Sequence, residues 1–366
     1  MGAKGATGPI KTLRLAWSLS DRPRAEQIGF GLFLAAMLAF PWVVKAGFAR
    51  AVAVQFMLYA LYGTSWNAIG GFGGQVDLGA AKSVGFGAYA VALLTSTLDA
   101  PFWAVLPVAV AAAMLESFVV GAALLRLRGH YFAIGTLAVA LVWQELFVFW
   151  EWTGGARGIN LPIKPAPDWA YLQLDPVGYH YVALGLLLAG LLVVNGIRRS
   201  RLGYQLRALR ANEEAAASVG VDVFAAKLKA YVTSAALYAA GGAFYAAYFG
   251  YIDPFSVMPM DLSVMIAMTA MLGGAGAMWG PLIGAAVLVP LDRYLGAWLG
   301  GHGVQGIDFL VYSVVIMALA AYQPKGVWGI IASIGKVRRA RGASRCAVAG
   351  EAVRRGHGQR LPGSVH

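Results

Sequence analysis

Apolar runs recur along this chain, each close to the ~20 residues an α-helix needs to cross a hydrocarbon core. The longest polar stretch between them decides how they are arranged. Residues 198–229 read RRSRLGYQLRALRANEEAAASVGVDVFAAKLK, with seven basic residues, three acids and no proline. A bilayer core cannot hold that many ionised groups, so the stretch lies in water. Its basic excess places it on the cytoplasmic side. Inside it, Gln205 to Ala217 is built of strong helix formers, and Val219-Gly220-Val221-Asp222 reads as a glycine stop followed by a fresh N-cap. The expected form is a short helix, a glycine turn and an approach helix that re-enters the membrane. Its alanine-rich face suits a groove on a partner protein. The competing reading is a solvated connector without a partner.

The chain's 366 residues are 59% hydrophobic and 13% charged, a hydrophobic content far above that of a typical soluble globular protein. The fold class is therefore an all-α polytopic membrane protein with one integrated helical domain. A net charge of +12 would suggest nucleic acid in a soluble protein. Here nine of the 29 basic residues fall between Lys325 and Arg360 and seven in the central loop, as expected of cytoplasmic segments, and no nucleic-acid partner is expected. One cysteine, Cys346, and five scattered histidines give neither a disulfide framework nor metal-ligand spacing. No G-x-x-x-x-G-K-[ST] sequence occurs, so the chain has no P-loop of its own. A membrane-embedded enzyme would need a nucleophile, a carboxylate pair or a metal cluster facing one cavity, and none is evident.

Residues 1–24 form a polar, basic N-terminal segment. The apolar run that follows, 27–44, is long and is succeeded by many others, which favours an uncleaved first helix over a secretory signal. Further spans are expected at 51–69, 83–98, 102–125, 131–150, 177–197, 230–251 and 307–322. Residues 151–176 hold four prolines and lie beside Trp150, Trp152 and Trp169, as at an external interface. Residues 262–289 are too long for one span and break at 273–280. One crossing there would leave the tail from Lys336, with eight basic residues, outside; two crossings put it inside. Charge favours two, which gives about ten transmembrane segments (nine to ten) and two cytoplasmic termini. The domain reading is an N-terminal segment at 1–24, a transmembrane domain at 25–335 containing the 198–229 loop, and a basic, disordered tail at 336–366. Glycine-rich breaks stand in both halves, five glycines in residues 70–79 and another cluster at 273–280. Corresponding interruptions point to a transport path near the repeat interface, with ordinary glycine packing as the alternative.

These residues carry a resemblance. Asn212-Glu213-Glu214-Ala215-Ala216 followed by Gly220 resembles the coupling loop of bacterial ABC importer permeases. Ser200-Arg201-Leu202-Gly203 and Arg207-Ala208-Leu209-Arg210 resemble the form it takes in the branched-chain amino acid permease family, of the LivM type. Gly73-Gly74-Gln75 with Leu78-Gly79 and Gly85-Phe86-Gly87, Leu125 to Tyr131, Trp152-Thr153-Gly154-Gly155 with Gly158, Leu272 to Pro281, and Gln323-Pro324-Lys325-Gly326 follow in the family's order. The resemblance implies ABC importer permease architecture. It also implies a second homologous permease, two cytoplasmic ATPase subunits and an external solute-binding protein as partners, all in or against the lipid bilayer of the bacterial inner membrane. ATP would be hydrolysed by the partner subunits, with no cofactor on this chain. Glu213, Glu214, Ala215, Ala216 and Gly220 would be the ATPase-coupling residues. Branched-chain amino acids are the default solute; urea, amides and small carboxylates are alternatives, as is a stand-alone ion-coupled carrier. The chain departs from the family at Asp77, Ala80, Lys82 and Leu141.

Several ionisable groups fall inside apolar segments, where an unpaired ion costs about 2.5–3.5 kcal/mol on insertion scales. Asp77 and Lys82 either pair with each other or line a path for a charged or zwitterionic solute. The pair is favoured, with Lys82 reaching the inner interface by snorkelling. Glu116 and Glu145 read as helix-to-helix hydrogen-bonding groups, and Gln75 and Asn67 as groups that satisfy backbone. The candidate path residues are Gln75, Asp77, Lys82, Glu116, Glu145, Gly273 and Gly274; no catalytic or metal-binding residue is expected.

Overall fold

The computed structural model describes residues 24–162 and 168–300; the expected N-terminal segment, the 307–322 span and the basic tail lie outside them. Helix α1 (Arg24–Val43) leads by a short link into α2 (Gly47–Trp66), which widens into a π turn over Asn67–Phe72. An extended segment then reverses the chain into α3 (Ala80–Leu98). Helices α4 (Phe102–Leu124) and α5 (His130–Phe149) follow, then two single 3-10 turns, a short strand β1 (Ile159–Asn160), and α6 (Pro176–Arg199). The polar loop forms α7 (Arg201–Ala211) and α8 (Glu213–Ser218). Beyond it come α9 (Val223–Phe249), strand β2 (Tyr251–Ile252), the one-turn α10 (Pro254–Val257), α11 (Met260–Gly274) and α12 (Gly280–Gly300). Among the described residues, four helical segments are long and apolar enough to cross a membrane by length and composition alone: Phe102–Leu124, His130–Phe149, Pro176–Arg199 and Pro254–Gly274.

Local chemistry sets the helix ends. Asp175 accepts the Gly178 N–H at 3.1 Å with Pro176 at the first helical position of α6, and Asp222 accepts the Ala225 N–H at 2.9 Å to start α9. Asp253 and Ser256 form a reciprocal capping box on α10. Helix α9 is the centre of the bundle, packed most extensively on α3 and α4, while α2 packs on α6 and α12. The α3–α9 contact is backbone against backbone: a Cβ on Gly242 would lie 1.9 Å from the Val84 carbonyl oxygen. Small residues at a helix crossing permit that approach, which supplies the van der Waals contact that lipid cannot.

The long apolar run of the second half contains two antiparallel helices, α11 and α12, joined at the glycine break. Gly273 meets the backbone of Gly280, and Gly284 meets that of Thr269, so the two strands of the hairpin touch over two turns. At the end of the bundle away from the polar loop, β1 and β2 pair antiparallel, Ile159 opposite Ile252 and Asn160 opposite Tyr251. Beside them Thr153 donates its hydroxyl to the Phe147 carbonyl at 3.0 Å, closing the C-terminus of α5.

Candidate functional site

The polar loop is a preformed unit rather than a slack connector. The single helix expected from Gln205 to Ala217 is two helices. Asn212 leaves helical geometry (φ −162°, ψ 115°) and its side chain accepts the Ala215 N–H at 3.0 Å, capping α8. Strong helix formers on both sides conceal that break in the sequence. Helix α7 turns Leu206 and Leu209 inward. Helix α8 ends at Gly220, whose φ of +85° is the left-handed region, and the Val221 N–H returns to the Ala216 carbonyl at 3.1 Å. Asp222 then caps α9, as the sequence predicts.

Two residues expected to meet a partner also make contacts inside the loop. Ala216 is 4% exposed and packs with Leu209 and Ala226, because the turn after it folds α8 back on α7 and α9. Glu213 accepts from Lys227 Nζ at 2.7 Å, the lysine being 2% exposed, which locks α8 to the first turns of α9. The outward face is made by Glu214, Ala215, Ala217 and Val219, the last 79% exposed. Glu214 lies 3.6 Å from Arg128, both largely in solvent, where such a pair contributes little.

Above this loop the two glycine-rich breaks meet. Asn67, in the π turn, donates its side-chain Nδ2 to the Ala277 carbonyl at 2.8 Å, and its Oδ1 accepts the Gly276 N–H at 2.7 Å. One amide thus satisfies a donor and an acceptor of the opposite break, the role read for it from sequence. Gln75 is buried, and its Oε1 has no partner among the described residues. Arg210, at the end of α7, donates Nη1 to the Gly71 carbonyl, with the Ala275 carbonyl at 3.4 Å from the same nitrogen. Sequence reading assigned Arg210 no role. Its partners lie 139 and 65 residues away, so no local spacing could have revealed them.

The favoured pairing of Asp77 with Lys82 is not the one that forms. Lys82 Nζ, 1% exposed, meets Glu116 Oε2 on α4 at 2.7 Å, with Ser117 Oγ at 3.3 Å and the Tyr231 ring face 5.3 Å below. Asp77 closes its own turn: Oδ1 accepts the Gly79 N–H at 2.9 Å, and Trp66 donates to its main-chain oxygen at 2.8 Å. Lys82 lies in the first turns of α3, and its side chain reaches across to α4 instead of back along the chain. Glu116 therefore does make a helix-to-helix contact, whereas Glu145 faces outward from α5 and not into one. Gly273 and Gly274 seal the α11–α12 hairpin at backbone distance. None of the candidate path residues lines the cavity of about 300 Å³ near the opposite end of the bundle, whose mostly apolar wall also carries Gln55, Tyr59, Tyr62, Asp261 and Arg293. The Tyr62 hydroxyl and Gln55 Oε1 are buried there without a partner among the described residues. Their signal in the sequence, scattered polar groups on apolar helices, does not separate them from ordinary core polars.

Comparison with known proteins agrees with this architecture. The profile of the family described as branched-chain amino acid transport system / permease component matches residues 48–320. The chain is 32% identical over 291 residues to the high-affinity branched-chain amino acid transport system permease protein LivM of Escherichia coli K12, covering 72% of this chain and 68% of that one. It is 29% identical over 150 residues to the autoinducer 2 import system permease protein LsrC of Klebsiella pneumoniae, covering 39% and 42%. No solved structure matches. With the profile spanning most of the chain and its apolar helices, the protein belongs to the permease components of branched-chain amino acid transport systems, a transport family rather than an enzyme family, and it is a multi-pass inner-membrane protein.

Proposed function

We propose that this permease works in an ATP-driven, binding-protein-dependent importer. In that assembly it pairs with a second homologous permease above two cytoplasmic ATPase subunits, docks an ATPase through the α7–α8 loop, and receives solute from an external binding protein. The observation that carries this reading is the loop itself, a small helix braced from behind by Glu213–Lys227 and Ala216 and presenting Glu214, Ala215 and Val219 outward. A stand-alone ion-coupled carrier has no use for such a surface. Nucleotide binds the partner subunits, and this chain does no covalent chemistry. The solute is a branched-chain amino acid or a similar small polar molecule.

Glu214→Lys reverses a charge on the outward face, where a wrong-sign juxtaposition costs several kcal/mol. The variant is expected to reach normal membrane levels, lose the ATPase on co-purification and lose uptake. An ATPase retained alongside undiminished uptake would reduce the loop to a connector. Ala215→Trp, on the same face, is expected to act alike. Ala216→Trp is not a clean probe, since it overfills the contact with Leu209 and Ala226. It is expected to lower the loop's own stability by about 1–3 kcal/mol and raise proteolysis between α7 and α9.

Ten segments with both termini in the cytoplasm is the topology that the charge distribution supports. Cysteine labels at Val219 and Gly342 are then expected to be shielded from an impermeant reagent in intact cells, and labels at Trp152 and Pro165 to react. Reaction at Gly342 with the other three as expected would mean nine segments, whereas inversion of all four would overturn the orientation.

A further inference from the structure

We propose that Arg210 is the latch through which the ATPase-facing loop controls the junction of the two glycine-rich breaks. The inference rests on the reading of the loop as a docking surface. It goes further by naming the contact that carries loop movement into the membrane domain.

Three observations place Arg210 in that position. Its Nη1 reaches carbonyl oxygens of both breaks, Gly71 and Ala275, from a helix that belongs to neither. The side chain lies in a cradle that only glycine can form. Gly74 and Gly276 have φ values of +72° and +89°, and a Cβ would lie 3.0 Å from Arg210 Cγ on the first and 2.6 Å from Nη1 on the second. Thirdly, Arg210 is joined to the docking face by a stiff lever. Asn212 caps α8 two residues on, and Leu209, Ala216 and Ala226 pack together beneath it. A push on α8 therefore moves Arg210 with it.

The latch and the staple differ in what they depend on. Asn67 joins the breaks to each other whatever the loop does. Arg210 adds a bond that exists only while α7 stays seated, since a hydrogen bond weakens steeply once its geometry is lost. Displacement of α7 by a few ångström releases the Gly71 and Ala275 carbonyls together and frees the π turn to move relative to the α11–α12 hairpin. The contact is a contiguous physical link whose state both the loop and the membrane helices bias. Arginine suits the role, because one guanidinium nitrogen carries two N–H donors, enough for both carbonyls, and its charge persists at every physiological pH.

The test uses the complete transporter, permease pair and ATPase, reconstituted in liposomes with its binding protein and radiolabelled leucine. Arg210→Ala is expected to keep the ATPase bound and hydrolysing while leucine moved per ATP falls about tenfold, the scale of a lost charge-assisted hydrogen bond. Arg210→Lys should recover part of the ratio. In the purified permease alone, Arg210→Ala is expected to speed amide hydrogen exchange several-fold in peptides covering 70–79 and 273–280. Exchange unchanged in both breaks would overturn the latch. Faster exchange with an unchanged transport ratio would leave Arg210 a stabilising residue only and overturn its part in coupling. If the unsubstituted permease retains no ATPase, the docking reading of the loop fails, and the exchange result still decides whether Arg210 holds the breaks.

Discussion

Lys82→Met should deplete the permease from the membrane fraction and lower its melting temperature in detergent more than any surface substitution does. The lysine is 1% exposed and its partner Glu116 5%, at 2.7 Å. Removing one member of a buried pair leaves the other uncompensated, at about 3–5 kcal/mol. Against a total stability of roughly 5–15 kcal/mol that is a large fraction. The double variant Lys82→Met with Glu116→Leu should recover most of the loss, because an apolar pair of similar volume is often neutral or stabilising. A single variant that melts like the unsubstituted protein would show that the pair contributes no structure. A double variant that regains stability yet loses uptake would mean that the charges serve the solute or its path.

Gly273→Val should prevent the α11–α12 hairpin from closing. A Cβ at that position falls 1.7 Å from the Gly280 carbonyl oxygen and 2.9 Å from the Gly284 nitrogen, both backbone atoms that cannot swing aside. The helices would have to separate along their whole contact, and the Asn67 bonds to Gly276 and Ala277 would go with them. Overpacked cores lose about 1–3 kcal/mol when side chains yield; here the obstacle is main chain, so the loss should exceed that range. Size-exclusion profiles of a fluorescent fusion would report it as aggregation, and a monodisperse Gly273→Val protein with normal uptake would contradict the hairpin packing. Gly185→Val on α6, where nothing lies within 4 Å, is the matched control and should be silent.

What the sequence made legible is what depends on neighbours along the chain. Asp222 as a cap, Gly220 as a stop, and the division of residues 262–289 into two helices all follow from short-range rules, and the structure has each of them. Periodicity locates residues on helices but says nothing about which helices touch. Lys82 was therefore matched to Asp77, five residues off, when its partner stands on α4, 34 residues away. The same limit hid Arg210, which reads as one more cation in a basic loop. The burial of Ala216 was hidden for a subtler reason. An alanine looks alike whether it is small to admit a partner or small to let α7 and α9 close over it, and only the return of the chain after Gly220 decides between them. Ion pairs inside the bundle follow the same pattern: the cost of burying a charge reveals that Lys82 and Glu116 each need a partner, but not which one.

The Asn67 staple also sets a schedule for biogenesis. Its amide nitrogen bonds a carbonyl 210 residues further along the chain. At a synthesis rate of about 5–20 residues per second, that partner leaves the ribosome roughly ten to forty seconds after Asn67 does. For that interval the π turn sits in the translocon or the lipid with its side-chain donor and acceptor uncommitted. The first half of the permease is consequently inserted before it is finished. Its inner end acquires its final geometry only when α11 and α12 arrive, so truncation before residue 277 should leave a protein that inserts but never matures.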